Sequence, residues 1–244
     1  MTNIQIVPIS GYEDQIRKLF WQTLTIGNPL SFDLTCSKQY EALGLNWYLT
    51  KGSHNGVVAL VDEKVAGYCL VCLDGVSFRR AQRSQLFKLA GCVLIAFATG
   101  RINSKSRRFY WHRLRDSLTI MRTRKVLPAN IDMHVHLNVV SGYNDGSVSL
   151  RLRAHADNVC ISSGSAAYFG EMNSIGKRRT LGLRRVGGKI IDQSINRTFS
   201  WLTGQDIHRL TMVRYPVQQI VEPVVEPVVE PVVEPVVEPV LQAA

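Results

Sequence analysis

Apolar positions alternate from Ile4 to Ile9, which predicts a short opening strand. The period then changes, and Ile16, Leu19, Phe20, Thr23 and Leu24 recur at helical spacing. Ser10 and Glu13 stand in the Ser-x-x-Glu spacing of a capping box, where each side chain satisfies an N–H that the first helical turn leaves unpaired. A second helix is expected from near Ser37 to Leu49. The β-rich runs at 56–61 and 65–73 flank Asp62-Glu63-Lys64 and read as a hairpin.

From Leu86 to Ala98 the chain is apolar apart from Lys88 and Gly91. That run is too short to span a bilayer and fits a buried or interfacial helix. After a polar break, Tyr110/Trp111, Leu114, Leu118 and Met121 form a helical stripe with arginines on the other faces. The two segments together predict a basic two-helix insertion over 77–127.

The strand pattern resumes after Pro128. Asp132, His134, His136 and Asn138 share one face, and Met133, Val135, Leu137 and Val139 the other, because strand side chains alternate. A polar loop, 141–146, leads into a helix carrying Val148, Leu152, His155/Ala156 and Val159 on one side. A strand at 165–172 follows, then a short basic helix at 177–186 stopped by Gly187-Gly188. The runs 198–202 and 207–214 flank Thr203-Gly-Gln-Asp206 and predict a second hairpin. The last stretch repeats Val-Glu-Pro-Val five times from Val221 to Val240. Proline at every fourth position excludes a helix there and favours extended chain. The expected organisation is a domain over 1–216 and an acidic tail over 217–244.

Composition narrows the class. Of 244 residues, 45% are hydrophobic and 20% charged, which excludes wholesale disorder. No apolar run reaches the ~18 residues of a spanning helix, and the start lacks a secretory pattern. Five scattered cysteines do not read as a disulfide framework, so a reducing cytoplasm is the expected setting. Cys69-x-x-Cys72 has no second pair and places its thiols on opposite strand faces, as core residues would be. The net charge is +10, yet residues 78–125 hold 13 Lys/Arg and one acid, Asp116. Such a patch attracts nucleic acid, an anionic membrane surface or an acidic ligand. Within it, Arg107 to Arg115 interleaves basic and aromatic residues, but helical spacing explains the aromatics equally as a buried stripe.

The order strand, two helices, hairpin, insertion, strand, loop, helix, strand, helix, hairpin resembles that of the GNAT superfamily of acyl-CoA-dependent N-acyltransferases. The local match is Pro128-Ala-Asn-Ile-Asp-Met-His-Val-His-Leu-Asn-Val-Val140 followed by Tyr143, where one GNAT branch carries P-A-H-L-H-I-x-L-L-P-E-Y. Asn173 and the run Arg184-Arg185-Val186-Gly187 look like the family's N…Y-E-R-L-G-F segment. The resemblance implies an α/β (α+β) fold: a mixed, mostly antiparallel sheet flanked by helices. It also implies transfer of an acetyl or related acyl group from acyl-CoA, as acyl-donor substrate, to an amine. No metal is expected.

The resemblance also distributes roles. The family's phosphate-binding loop falls on Asn144, Gly146, Ser147, Val148 and Ser149, with serine in place of both family glycines. Backbone amides at such a helix start hold pyrophosphate. Backbone N–H groups at Val139 and Val140 would polarise the thioester oxygen, and Asn173 would contact the cofactor. The base would come from His134, His136 or Glu171, with Asp132 a further candidate. The position of the family's acidic tyrosine is Leu183, and Tyr168 is a possible substitute. The acceptor would be an amine-bearing small molecule or protein, an anionic one being favoured by the basic insertion, with nucleic acid disfavoured. The rival reading is a GNAT-like binding module without catalysis, using the insertion and the tail for interaction.

Overall fold

The structure is a computed structural model, and it describes residues 3–123, 127–128, 131–143, 145–176 and 188–216. The expected helix at 177–186, the Arg184–Gly187 run, Leu183, Asn144 and the tail lie outside the described residues. Seven strands form one sheet in the order β1-β2-β3-β4-β5-β7-β6. They are β1 (Ile4–Pro8), β2 (Val57–Val61), β3 (Lys64–Cys72), β4 (His134–Val139), β5 (Tyr168–Ile175), β6 (Lys189–Ile195) and β7 (Ile207–Arg214). All neighbours pair antiparallel except β4 and β5, which run parallel.

Helices cover both faces. On one lie α1 (Glu13–Thr23) and α2 (Ser37–Leu49), whose Ile16, Phe20, Tyr40 and Leu45 pack on Tyr68 and Leu70 of β3. On the other lies α5 (Ser147–Ser162), whose Val148, Leu152, Ala156 and Cys160 recur every four residues and meet Cys69, Val71, Val135 and Leu137. Cys69 and Cys72 therefore enter opposite core layers, and burial pushes both thiols up to about 12. The β2–β3 turn places Asp62 and Glu63 at φ +49° and +63°, the left-handed pair that a two-residue hairpin turn requires.

Between β3 and β4 run α3 (Gly75–Ala98) and α4 (Ser104–Thr123). Helix α3 starts eleven residues before Leu86, because Asp74 caps it by accepting from the Ser77 N–H at 2.9 Å. The stripe expected to be buried on α4 faces outward: Trp111, Leu114, Leu118 and Met121 are exposed, while Ser106, Phe109 and Asp116 turn inward. Helical spacing identifies a face but not its direction. The inward face was decided by Phe109 packing on Tyr40 and Phe32 and by the hydrogen bonds of Asp116.

Three further expectations are corrected. The Ser10–Glu13 capping box does not form; Tyr12 is the N-cap and no side chain caps α1. The chain turns instead at Gly11, φ +85°. The expected strand at 198–202 is helix α6 (Arg197–Thr203), and β7 pairs with β6 rather than across a hairpin with that segment. Asn196 caps α6 through the Phe199 N–H, and Asp116 supplies further acceptors, which overrides the β propensity of Thr198, Phe199 and Trp201. The cysteines are not all unpaired: Cys36, the N-cap of α2, bonds Cys92 of α3 across 56 residues. A pairing this distant carries no spacing signature.

Candidate active site

Strands β4 and β5 pair at a single position, His134 opposite Phe169, where the Phe169 N–H donates to the Met133 carbonyl at 3.1 Å. Beyond it they diverge. The gap, about 50 Å³, is lined by Val135 and Leu137 of β4, Tyr168, Gly170, Glu171 and Met172 of β5, Arg153 and Ala156 of α5, and Met212 of β7. It is a slot between two strands, mostly apolar, with the charged side chains of Arg153 and Glu171 at its margin. The Val140 N–H donates to Ala66 of the neighbouring edge of β3 at 2.8 Å. Alternation therefore turns the amides of Leu137 and Val139 toward the gap and that of Val140 away from it. Of the two amides expected to face a thioester, that of Val139 turns toward the gap, and that of Val140 is committed to the sheet.

The histidine face of β4 is half-buried, packed against aromatic side chains of α1, α2 and α3. His136 is enclosed by Tyr68, Tyr48 and Phe20, with ring centroids at 5.5, 6.0 and 6.4 Å. Burial pulls its imidazole down to about 4, so it is neutral at pH 7. His134 packs on Phe78 at 4.2 Å, and on Phe169 and Tyr48. Asn138 donates to the Tyr68 hydroxyl oxygen at 2.7 Å, and burial raises Tyr68 and Tyr48 well above the usual phenol range. Glu171 of β5 shares its strand face, by alternation, with Phe169, whose ring lies 5.4 Å from that of His134. Its carboxylate accepts from Arg209 at 3.3 Å, and Arg209 is shared with Asp192 at 3.5 Å. His134, His136 and Glu171 are thus brought to one side of the gap, whereas Asp132 is exposed and pairs with Arg79 at 3.3 Å.

Tyr168 points to the opposite side. Its hydroxyl donates to Asp157 of α5 at 2.7 Å, and Asp157 also receives two bonds from Arg214, at 2.7 and 2.8 Å. Burial lifts the phenol out of the range in which it would give up a proton, and Asp157 reinforces this. Asn173 accepts from Asn196 at 2.9 Å, which ties β5 to the cap of α6. At the start of α5, Gly146 turns the chain at φ +82°. The first-turn amides of Ser147, Val148 and Ser149 have no acceptor within the helix. Asp145 accepts from the N–H and the hydroxyl of Ser147, at 3.1 and 2.8 Å, so a carboxylate already sits at that helix start.

A second cavity, about 320 Å³, lies between the α1–α2 loop and the end of α6. Thr25, Asn28, Ser31, Ile175, Thr203 and Gln205 line it, and among the described residues no charged side chain does. The Ser141 hydroxyl donates to the Gly27 carbonyl at 3.0 Å, so the loop leaving β4 is joined to the loop bounding this cavity. Sequence reasoning missed Tyr48, Tyr68, Asp145 and this cavity. Gly170, a glycine inside a strand pattern, carried the one available signal, since such a glycine marks a close approach or an opening.

No protein-family model matches the sequence, nor does any curated protein match it significantly. Solved structures do match. The chain superposes on the protein SsHAT with a TM-score of 0.54 at 15% identity, over 88% of this chain and 100% of that one. It superposes on the polyamine N-acetyltransferase of Drosophila melanogaster, an enzyme that forms N-acetylagmatine, with a TM-score of 0.54 at 13% identity, over 87% and 100%. An agmatine N-acetyltransferase variant in its apo form matches at 0.52 and 13%, over 87% and 99%. At these identities the likeness defines the fold, and the fold is that of the GNAT N-acetyltransferases.

Proposed function

We propose that this protein is an acyl-CoA-dependent N-acyltransferase. The observation that carries the reading is the divergence of β4 and β5 after one parallel rung, which leaves a mostly apolar slot edged by the Val139 amide. In this reading the thioester arm of an acyl-CoA substrate enters between the diverging strands, which would have to open beyond the volume of about 50 Å³ in the free protein. The Val139 N–H is then a fixed donor to the carbonyl oxygen, strengthening as negative charge develops there. The amides of Val148 and Ser149, at the positive end of α5 and without an acceptor among the described residues, would take phosphate oxygens. Gly146 sets the turn that exposes them. Ser147 and Asn173 have other partners in the free protein, and serving a cofactor would require them to exchange those bonds.

The amine enters from the α1/α2 side, where the neutral cavity beside the α1–α2 loop gives it room. Its lining, uncharged among the described residues, supports an uncharged or singly charged acceptor over the anionic one expected from the basic insertion. Attack by nitrogen forms the C–N bond and breaks the C–S bond, and the departing proton passes to a base on the same face. Glu171, half-exposed beside Arg209, suits that role. His136 is neutral at pH 7 and can accept a proton, but its burial makes it the weaker base. His134 borders the rung where the slot begins and is the third candidate.

A second reading, a binding module without turnover, is favoured by one observation, the Asp145 carboxylate at the start of α5. The two readings separate in one assay: acetyl-CoA with a panel of primary amines, followed by free-thiol release. Amine-dependent release that Glu171→Gln reduces supports the transferase. Acetyl-CoA binding with no amine-dependent release supports the module.

A further inference from the structure

We propose that the outer face of the C-terminal half of α3 docks on an anionic lipid surface. Leu86, Phe87, Leu94, Ile95 and Phe97 all point to solvent, Phe87 with 77% and Leu94 with 69% of its surface exposed. A cluster of this size is beyond the scattered apolar exposure ordinary for a soluble surface. The inward side of the same turns is already filled, by Leu89 and Ala96 and by Cys92 bonded to Cys36. The exposed face is therefore the outside of a helix anchored to α2, and no packing within the described residues is left to cover it.

Charge selects the occupant. Every charged side chain that α3, α4 and their connection expose is basic, and the single acid, Asp116, is buried. Lys88 lies within the apolar turns, and Arg101, Lys105 and Arg107 follow directly at the end of the helix. Apolar side chains that enter the acyl boundary, with cations beside them at headgroup level, are the pattern of an interfacial helix on anionic lipid. Helix α4 repeats it, with Trp111, Leu114 and Leu118 outward between Arg107, Arg115 and Arg122. A second copy of the chain is the weaker occupant, since it would oppose two faces of the same positive sign. Spanning is excluded: the apolar part of α3 is about 20 Å long at 1.5 Å per residue, against roughly 30 Å of hydrocarbon. Among the described residues no helix is long and apolar enough to cross a membrane.

The test is co-sedimentation of the full chain with unilamellar vesicles of phosphatidylcholine alone, or with about one-third phosphatidylserine. The expected result is binding to the phosphatidylserine vesicles at least about tenfold tighter than to phosphatidylcholine, weakening as salt rises. The combined variant Phe87→Ser, Leu94→Ser and Phe97→Ser replaces only exposed side chains, so it should melt as the parent does and lose that binding by about tenfold or more. Parent protein left in the supernatant with phosphatidylserine vesicles overturns the proposal. So does a parent dimer in light scattering that the variant converts to monomer, which would assign the face to a second copy. Both readouts are independent of acyl transfer, so they stand apart from the catalytic reading.

Discussion

Asp116 of α4 holds Thr198 of α6 by two bonds, from the Thr198 N–H at 3.0 Å and from its hydroxyl at 2.7 Å. The Arg197 N–H adds a third at 2.9 Å, with the Arg197 guanidinium 3.7 Å away. The one acid in the basic region is thus the joint between the helix pair and the far half of the sheet.

Asp116→Ala strands the buried donors of Thr198 and Arg197 and should cost about 3 kcal/mol. For a chain of this size that is a fall of about 10 °C in melting temperature. Circular dichroism melts of parent and variant check it, and a variant within a degree of the parent would show that α4 and α6 do not depend on the joint.

The Cys36–Cys92 bond closes 56 residues, for which chain entropy gives about 4 kcal/mol at most. Thiol titration of the denatured, unreduced chain should count three groups, Cys69, Cys72 and Cys160, rather than five. Reduction should lower the melting temperature, and Cys92→Ser should melt like the reduced parent in either condition.

His136 gives stability a defined acid limb. Its folded imidazole takes a proton near pH 4, against 6.5 for the ordinary group. The unfolded chain therefore binds the proton first, and stability falls as pH drops from about 6.5 to about 4, then levels off, by about 3 kcal/mol in all. His136→Gln should flatten that limb relative to the parent while leaving the neutral-pH slope unchanged. Melts from about pH 7 to about pH 4 decide it, and parallel curves would remove His136 as the source.

Gly170 controls access to the slot. A Cβ there would meet the Val135 carbonyl at 3.4 Å, an ordinary contact, so Gly170→Ala should fold and bind acetyl-CoA. Gly170→Leu projects into the gap and should weaken acetyl-CoA by more than about tenfold, with a folded far-ultraviolet spectrum. Equal affinity of the two variants would place acyl-CoA elsewhere.

Much of this architecture was legible in the chain. The α2 limits, the β2–β3 hairpin and the two-faced β4 follow from local period and turn residues, which need no tertiary information. The errors share a cause. The stripe of Trp111 to Met121 and the segment at 198–202 were decided by the bonds between Asp116 and Thr198, a pairing across 82 residues that no local window contains. At the candidate site, the shared face of His134 and His136 was readable from alternation. The aromatic cover by Tyr48 and Tyr68 and the diversion of the Val140 amide were not, because they depend on which neighbour a strand acquires. Asp145 at the start of α5 was visible in sequence, but its bond to Ser147 requires the left-handed turn at Gly146.

The most direct test of the acyltransferase reading is calorimetric titration of the full chain with acetyl-CoA. One saturable site is expected, with heat lost in Gly170→Leu. No detectable heat up to millimolar acetyl-CoA, with the protein folded, would contradict it.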